Sequence, residues 1–416
     1  MPFSELLAEV IDNRGRTCPT ASDGIALIAT NCIRNDCLYP SYENVRFVSK
    51  DTYDSWFRGH PKPGDLIFVL KGTPGRVCLA PDPIDFCIAQ DMVALRVDAA
   101  KVYPPYLFAL LRSSEVQTLI EQMHVGTLIP HFKKGDFDKL LLPVDPDRQN
   151  QKFVGDHYFN LSKRIDINRR MSETLEAMAR ALFRSWFLDF DPVRAKAEGR
   201  WRRGESLPGL PAHLYDLFPD SFENSELGKI PGGWQVGRLD DAVLFQRGFD
   251  LPSKQRSPGN YPVFAASGMC GYHNQLRVVG PGVVTGRSGV LGNVFYVASD
   301  FWPLNTTLWV KEFRHFPPAF AFYALRRLNF GRFNAGSAVP TLNRNHIHSL
   351  PTLLPPPLLV AAFEGFAKSV RERLENSESH TRILSRIRDQ LLPKLISGEL
   401  RVPLAHEANL RMEQYS

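Results

Sequence analysis

Two stretches of the chain carry apolar residues in the same rhythm. Leu161, Ile165, Asn168, Ser172, Leu175, Ala179, Leu182 and Trp186 are spaced alternately by four and three positions. So are Val370, Leu374, Ser377, Thr381, Leu384, Arg388, Leu391 and Leu395, each 209 positions after its counterpart. Alternating steps of four and three mark the seam of a coiled coil rather than the wider apolar face of an ordinary surface helix. Both seams are apolar at their ends and polar in the middle, at Asn168/Ser172 and Ser377/Thr381. A polar seam position costs stability but fixes register and partner. The pattern predicts two long helices that pack on each other; the competing reading is two independent amphipathic helices, each covering its own domain.

The repetition extends upstream. Gly126-Thr127-Leu128-Ile129-Pro130 is matched 210 positions later by Gly336-Ser337-Ala338-Val339-Pro340. Phe132, Lys134, Phe137 and Leu140 match Leu342, Arg344, Ile347 and Leu350 at the same offset. Further back, the run from Val10 to Gly15 echoes that from Val243 to Gly248, now 233 positions apart. The chain reads as two copies of one plan, a variable body followed by a long helix. A duplication of this kind brings an approximate two-fold axis.

Each body alternates short β-branched and aromatic runs with turn residues. In the first these are Gly24–Ala29, Asn44–Val48 and Asp65–Leu70, with a helix from Tyr106 to Met123 and a short strand at Leu140–Leu142. In the second they are Tyr261–Ala266, Gly282–Thr285, Asn293–Val297 and Thr307–Val310, with a helix over Pro318–Leu328. Pro192 is expected to stop the first long helix, and the proline- and glycine-bearing segment after it reads as a tether. The expected boundaries are 1–150 for the first body, 151–190 for the first long helix and 191–230 for the linker. The second body then spans 231–357, the second long helix 358–400 and a polar tail 401–416. The fold class is α+β: two pseudo-repeated mixed α/β domains joined by two long helices packed as an antiparallel coiled coil.

At 416 residues and 44% hydrophobic composition the chain can bury two or three cores. Its six cysteines form no C-x-x-C pair and lie beside no histidine at a zinc-site spacing. That points to reduced thiols, a cytoplasmic setting, no metal and no cofactor. The N-terminus has no signal-peptide pattern, and no apolar run approaches the roughly 18–20 residues of a membrane span. The net charge of +6 is unevenly distributed. Residues 1–150 hold 16 Lys/Arg against 19 Asp/Glu, whereas 231–357 hold 12 against 5. The second body is therefore prepared for a polyanion, and charge alone would not make the first a nucleic-acid binder.

Candidate chemistry is sparse. Tyr103-Pro104-Pro105-Tyr106 has the outline of a base-methyltransferase motif, but tyrosine replaces its Asp/Asn and no glycine-rich S-adenosylmethionine turn precedes it; helix entry is the better reading. Gly286, Gly289 and Gly292 lack both the Rossmann spacing and the Walker lysine, and read as a turn. Glu226 and Lys229 sit in the linker, and His346 and His348 read as surface histidines. No nucleophile, base and orienter come together, so the chain reads as non-enzymatic. The cationic turns are different, since a glycine-rich turn bearing Arg or Lys can approach DNA closely. Lys71 and Arg76 in the first body and Arg287 in the second occupy such turns. Lys133, Lys134, Arg247 and Arg344 complete the candidate DNA contacts.

This layout resembles the DNA-specificity subunit of type I restriction-modification systems. The resemblance rests on the doubled order of body, Gly-Thr/Ser-x-x-Pro and long helix. It rests also on Phe183–Phe190 and Arg388–Leu400 as helix endings, and on Glu226–Trp234 at the entrance to the second body. It covers almost the whole chain. The segments Val144–Gln151 and Pro355–Ala362 depart from the Pro-Pro-Leu-x-Glu-Gln that the family usually writes before each helix.

The resemblance implies that each body is a target-recognition domain for one half of a bipartite DNA site. The helices would set the spacing and dock two modification (methyltransferase) subunits, and restriction (translocase-nuclease) subunits would supply cleavage. About 35 helical residues span roughly 50 Å at 1.5 Å per residue. That exceeds the roughly 34–36 Å of one duplex turn. A coiled-coil adaptor without DNA specificity and a stand-alone DNA methyltransferase are the rival readings.

Overall fold

The computed structural model describes residues 1–13, 17–123, 130–328, 330–333 and 340–400. Arg14 and Gly15, most of both Gly-Thr/Ser-x-x-Pro segments and the 401–416 tail therefore lie outside the described residues. The chain divides into two units, Met1–Met171 with Ser377 onward and Ser172–Asn376.

Unit 1 contains β1 (Leu7–Asp12), β2 (Ile25–Ile28), β3 (Arg46–Val48), α1 (Lys50–Ser55), β4 (Leu66–Val69), β5 (Val77–Leu79), β6 (Phe86–Ile88), β7 (Met92–Val97), α2 (Pro104–Leu111) and α3 (Ser114–Met123). An antiparallel sheet has the order β1-β7-β4-β5, and a second has the order β3-β2-β6 with β2 and β6 parallel. All four β4 residues are buried because the strand lies between two cores. Leu66 and Phe68 face a core with Phe3, Tyr106, Phe108 and Phe132, while Ile67 and Val69 face one with Ile11, Phe86 and Ile88. Alternation along the strand is thus apolar on both sides, and the sequence shows a continuous apolar run.

The first long helix, α4 (Arg148–Phe187), leads through α5 (Asp191–Ala197) into unit 2. There follow β8 (Phe222–Ser225), β9 (Gly228–Pro231), β10 (Gln235–Arg238), α6 (Leu239–Ala242), β11 (Val243–Arg247), β12 (Tyr261–Ala265), β13 (Gly268–His273), β14 (Gly282–Gly286), β15 (Val294–Val297), β16 (Trp302–Pro303) and β17 (Thr307–Phe313). The series closes with α7 (Pro318–Arg327), α8 (Arg344–His348), β18 (Pro351–Leu354) and the second long helix α9 (Pro357–Ile396). The principal sheet has the order β11-β17-β14-β15, and its companion β13-β12-β16 with β12 and β16 parallel. Strand for strand, this is the topology of unit 1. The duplication expected from the sequence is present in the hydrogen-bonded ladders themselves.

Every expected seam position is buried or half-buried. In unit 1, Leu161, Ile165, Leu384 and Leu391 belong to an antiparallel pair of helix segments. There Ser377 Oγ donates to the Asn168 carbonyl at 3.1 Å, and the Arg388 guanidinium lies 5.5 Å from the Tyr158 ring. In unit 2, Leu175, Leu182, Val370 and Leu374 belong to the other pair, closed by Phe183 and Phe363 with ring centroids 5.3 Å apart.

Several sequence expectations are corrected. The helix expected over Tyr106–Met123 is two helices. Between them the buried Arg112 side chain donates to the Val77 and Arg34 carbonyls, and Ser113 Oγ accepts from Val116 N at 3.3 Å. Leu140–Leu142 forms one bridge to Pro2 rather than a strand. Pro192 begins α5 instead of merely ending α4, after a left-handed turn at Phe190 (φ 55°). Residues 191–230 are packed into unit 2: Trp201 is buried against Tyr215 and Phe218, and Phe218 against Trp186. Lys196 donates to the Tyr215 and Phe218 carbonyls, and burial pulls its pKa down. Tyr103-Pro104-Pro105 is the entry to α2, as read from the sequence.

Candidate nucleic-acid interface

The β14–β15 turn of unit 2 is shaped by glycines. A Cβ on Gly286 would meet the Val290 carbonyl oxygen at 1.9 Å, and Gly289 and Gly292 have φ of 92° and 97°. Backbone bonds then fix the turn on both sides. Arg287 N donates to Thr306 O at 2.8 Å, Gly289 N to Pro340 O at 2.9 Å, and Leu342 N to Arg287 O at 2.8 Å. Unit 1 repeats this with Leu70 N to Asp91 O at 2.8 Å, Gly72 N to Pro130 O at 2.9 Å and Phe132 N to Leu70 O at 2.8 Å. The hydrogen bonds align Gly72 with Gly289, Lys71 with Ser288 and Leu70 with Arg287. Both turns are cationic, but the cations stand one residue out of step.

In unit 2 the structure brings Arg247 and Arg287 together around Asp250 and Asn305. Arg287 Nε donates to the Asn305 carbonyl at 2.9 Å, Asn305 Nδ2 to Asp250 Oδ1, and Arg247 stands 3.9 Å from Asp250. Burial first, and the neighbouring Arg247 charge second, pull the Arg287 pKa down. A guanidinium stays charged at neutral pH in any such setting. Two cations around one carboxylate leave a net positive charge that an incoming anion can relieve.

Joined to this group is Arg277, which the sequence reading missed. Its guanidinium lies 4.7 Å from the Trp302 ring and 5.7 Å from the Phe249 ring, and Asn305 N donates to the Phe249 carbonyl at 2.9 Å. No local motif marks Arg277, because strand pairing alone brings positions 249, 277 and 302 together. Arg344 is exposed in the first turn of α8, where Asn343 provides the cap.

Unit 1 offers a more balanced surface. Lys71 and Arg76 are half-buried on their turn, Lys133 is exposed, and Lys134 is ion-paired with Asp12 at 2.7 Å. Lys71 and Lys133 flank the hydrogen bond between Phe132 and Leu70. His348 is buried rather than superficial, its Nε2 accepting from Phe245 N at 2.9 Å. Among the described residues no group of His, Cys, Asp or Glu could hold a metal ion, and no helix is long and apolar enough to cross a membrane.

No family model matches the chain. The HindI type I restriction enzyme specificity subunit of Haemophilus influenzae is 24% identical, across 82% of this chain and 87% of that relative. The MjaIX specificity subunit of Methanocaldococcus jannaschii is 21% identical, across 88% of this chain and 84% of that relative. The crystal structure of the type I restriction-modification S subunit from M. genitalium superposes with a TM-score of 0.56, at 18% identity, covering 92% of this chain and 96% of that one. The chain resembles type I specificity subunits in sequence and in fold. Within the specificity-subunit fold, the two cationic turns lie at equivalent places in the two bodies, each tethered to the proline that ends a Gly-Thr/Ser-x-x-Pro segment. Unit 2 gathers Arg247 and Arg287 around Asp250 and Asn305, whereas unit 1 pairs Lys134 with Asp12.

Proposed function

We infer that the chain is the non-catalytic, sequence-specific DNA-recognition subunit of a type I restriction-modification complex. One observation supports this above the others: a single two-sheet topology is built twice, in the order β1-β7-β4-β5 and again β11-β17-β14-β15, in a chain whose relatives are named specificity subunits. Residues 1–150 and 231–357 serve as the two target-recognition domains, each reading one half of a bipartite site in double-stranded DNA. Lys71, Arg76, Lys133 and Lys134 contact it from the first, and Arg247, Arg287 and Arg344 from the second. Phosphate contacts give affinity and register, whereas base edges give specificity.

The long helices set the separation of the half-sites and dock two modification subunits. Exposed apolar residues on the unit 1 parts of both helices support a docking face: Ile167 and Met171 on α4, Ile383 and Ile387 on α9. Methyl transfer belongs to the modification subunits and cleavage to restriction subunits. The six cysteines are unpaired, in keeping with work in the cytoplasm.

Single-molecule sequencing of N6-methyladenine, with and without this gene, tests the reading. Methylation at one split motif, lost on deletion, is the expected result, and exchanging residues 231–357 changes one half of it. An unchanged methylome despite expression of the modification subunit favours an adaptor without DNA specificity.

A further inference from the structure

Resting on that reading, the structure distinguishes one arginine of unit 2 from its neighbours. Arg287 spends its Nε–H on the Asn305 carbonyl, and Arg247 faces Asp250. Arg277 is exposed, and among the described residues its guanidinium has aromatic contacts but no hydrogen bond or ion pair. Its position is nevertheless determined. Arg277 N donates to the Phe301 carbonyl at 3.0 Å, and the bridge of Val278 with Phe301 holds the backbone next to it. The platform beneath the guanidinium is Trp302, 4% exposed and packed with Leu251, Val263 and Leu304.

Contact with the rings occupies the guanidinium without consuming its N–H donors. Fewer rotamers remain to be frozen when those donors meet a partner, so recognition costs less entropy. Two parallel N–H groups on a positioned plane match O6 and N7 of guanine in the major groove, the commonest specific arginine contact with DNA. The adjacent Arg247 and Arg287 supply the charge that holds a phosphate backbone nearby. We propose that Arg277 is a specificity-determining residue, reading a guanine in the half-site of the second body, with Trp302 and Phe249 as its positioning platform.

The test profiles N6-methyladenine made by the full complex carrying the wild-type chain, Arg277→Ala or Arg277→Lys. Both variants relax the preference for guanine at one position of one half-site, by roughly tenfold or more, and leave the other half unchanged. Arg247→Ala lowers DNA affinity for all sequences and makes it less dependent on salt. Arg277→Lys keeps the charge and the alkyl stem but removes the planar fork, so it decides the matter if the alanine variant folds poorly. A variant motif identical to the wild-type motif overturns the assignment whatever happens to the rate. A wild-type complex that methylates no split motif sinks the DNA-recognition reading itself.

Discussion

The two units fasten a short helix to a long one at matched positions, and they do it by opposite means. In unit 1 the start of α2 meets α4 at Gly155, where a Cβ would stand 2.6 Å from Tyr106 N and 2.9 Å from the Pro105 carbonyl carbon. In unit 2 the residue 209 positions later is Glu364. Its carboxylate accepts from Ala319 N at 3.1 Å and from Phe320 N at 2.7 Å, capping the start of α7. One position earlier, Val154 in unit 1 corresponds to Phe363 in unit 2, and both are buried. One junction is made by close backbone approach; the other holds the helices apart with an aromatic ring and satisfies the orphan N–H groups with a carboxylate. Ladder hydrogen bonds preserve topology through a duplication, while packing volume at the joints is free to be redistributed.

The largest expected effect breaks the aromatic version. The Phe363 ring lies within 5.3–6.1 Å of Phe183, Phe187, Trp186, Phe320 and Tyr323. Phe363→Ala should cost about 3–5 kcal/mol in denaturant unfolding, and Val154→Ala clearly less. Equal losses at the two positions would remove the distinction. Next comes Gly155→Ala, which sets a methyl group against backbone atoms that cannot move aside alone. The expected cost is about 1–3 kcal/mol. Hydrogen exchange should accelerate over 104–111 and stay unchanged over 318–327; acceleration in both segments would contradict a joint confined to unit 1. Glu364→Gln keeps the size but weakens the two bonds to the helix start, at about 0.5–2 kcal/mol, with faster exchange over 318–327.

The same contrast shows what the sequence could disclose. Seam spacing revealed the long helices because a four-three rhythm is local and survives any change of partner. Strands such as Leu66–Val69 were legible because burial on both faces demands an unbroken apolar run. The division of Tyr106–Met123 was not, since it depends on Arg112 finding carbonyls at Arg34 and Val77. The packing of Trp201 and Phe218 against Trp186 was hidden by the prolines and charges of a segment that reads as a tether. At the candidate interface the turns were legible as glycines with cations, whereas Arg277 on Trp302 was not, because sheet pairing brings those positions together.

The smallest effect sharpens the comparison at the end of each body. His348 accepts from Phe245 N at 2.9 Å, fastening α8 to β11. Burial first pulls its pKa down, Asp240 raises it, and Arg344, Arg314 and Arg238 lower it further. The aligned residue of unit 1 is Asp138, which accepts from Ser4 Oγ. A histidine whose folded-state pKa lies below its unfolded value of about 6.5 is neutral in the fold while the unfolded chain takes up the proton. Its stabilising effect is therefore complete above about pH 6.5 and declines as the pH falls below it. In unit 1, burial also lowers the pKa of His60, so acid alone does not single out unit 2. The informative measurement is the difference between wild type and His348→Gln, whose side-chain oxygen can accept the same hydrogen bond without titrating. Between pH 7.5 and 5.5 the wild-type chain should lose additional exchange protection over Val243–Arg247, and the glutamine variant should not. Identical pH profiles would mean that the Phe245–His348 bond contributes nothing to holding β11, and that the two units end their bodies in energetically equivalent ways.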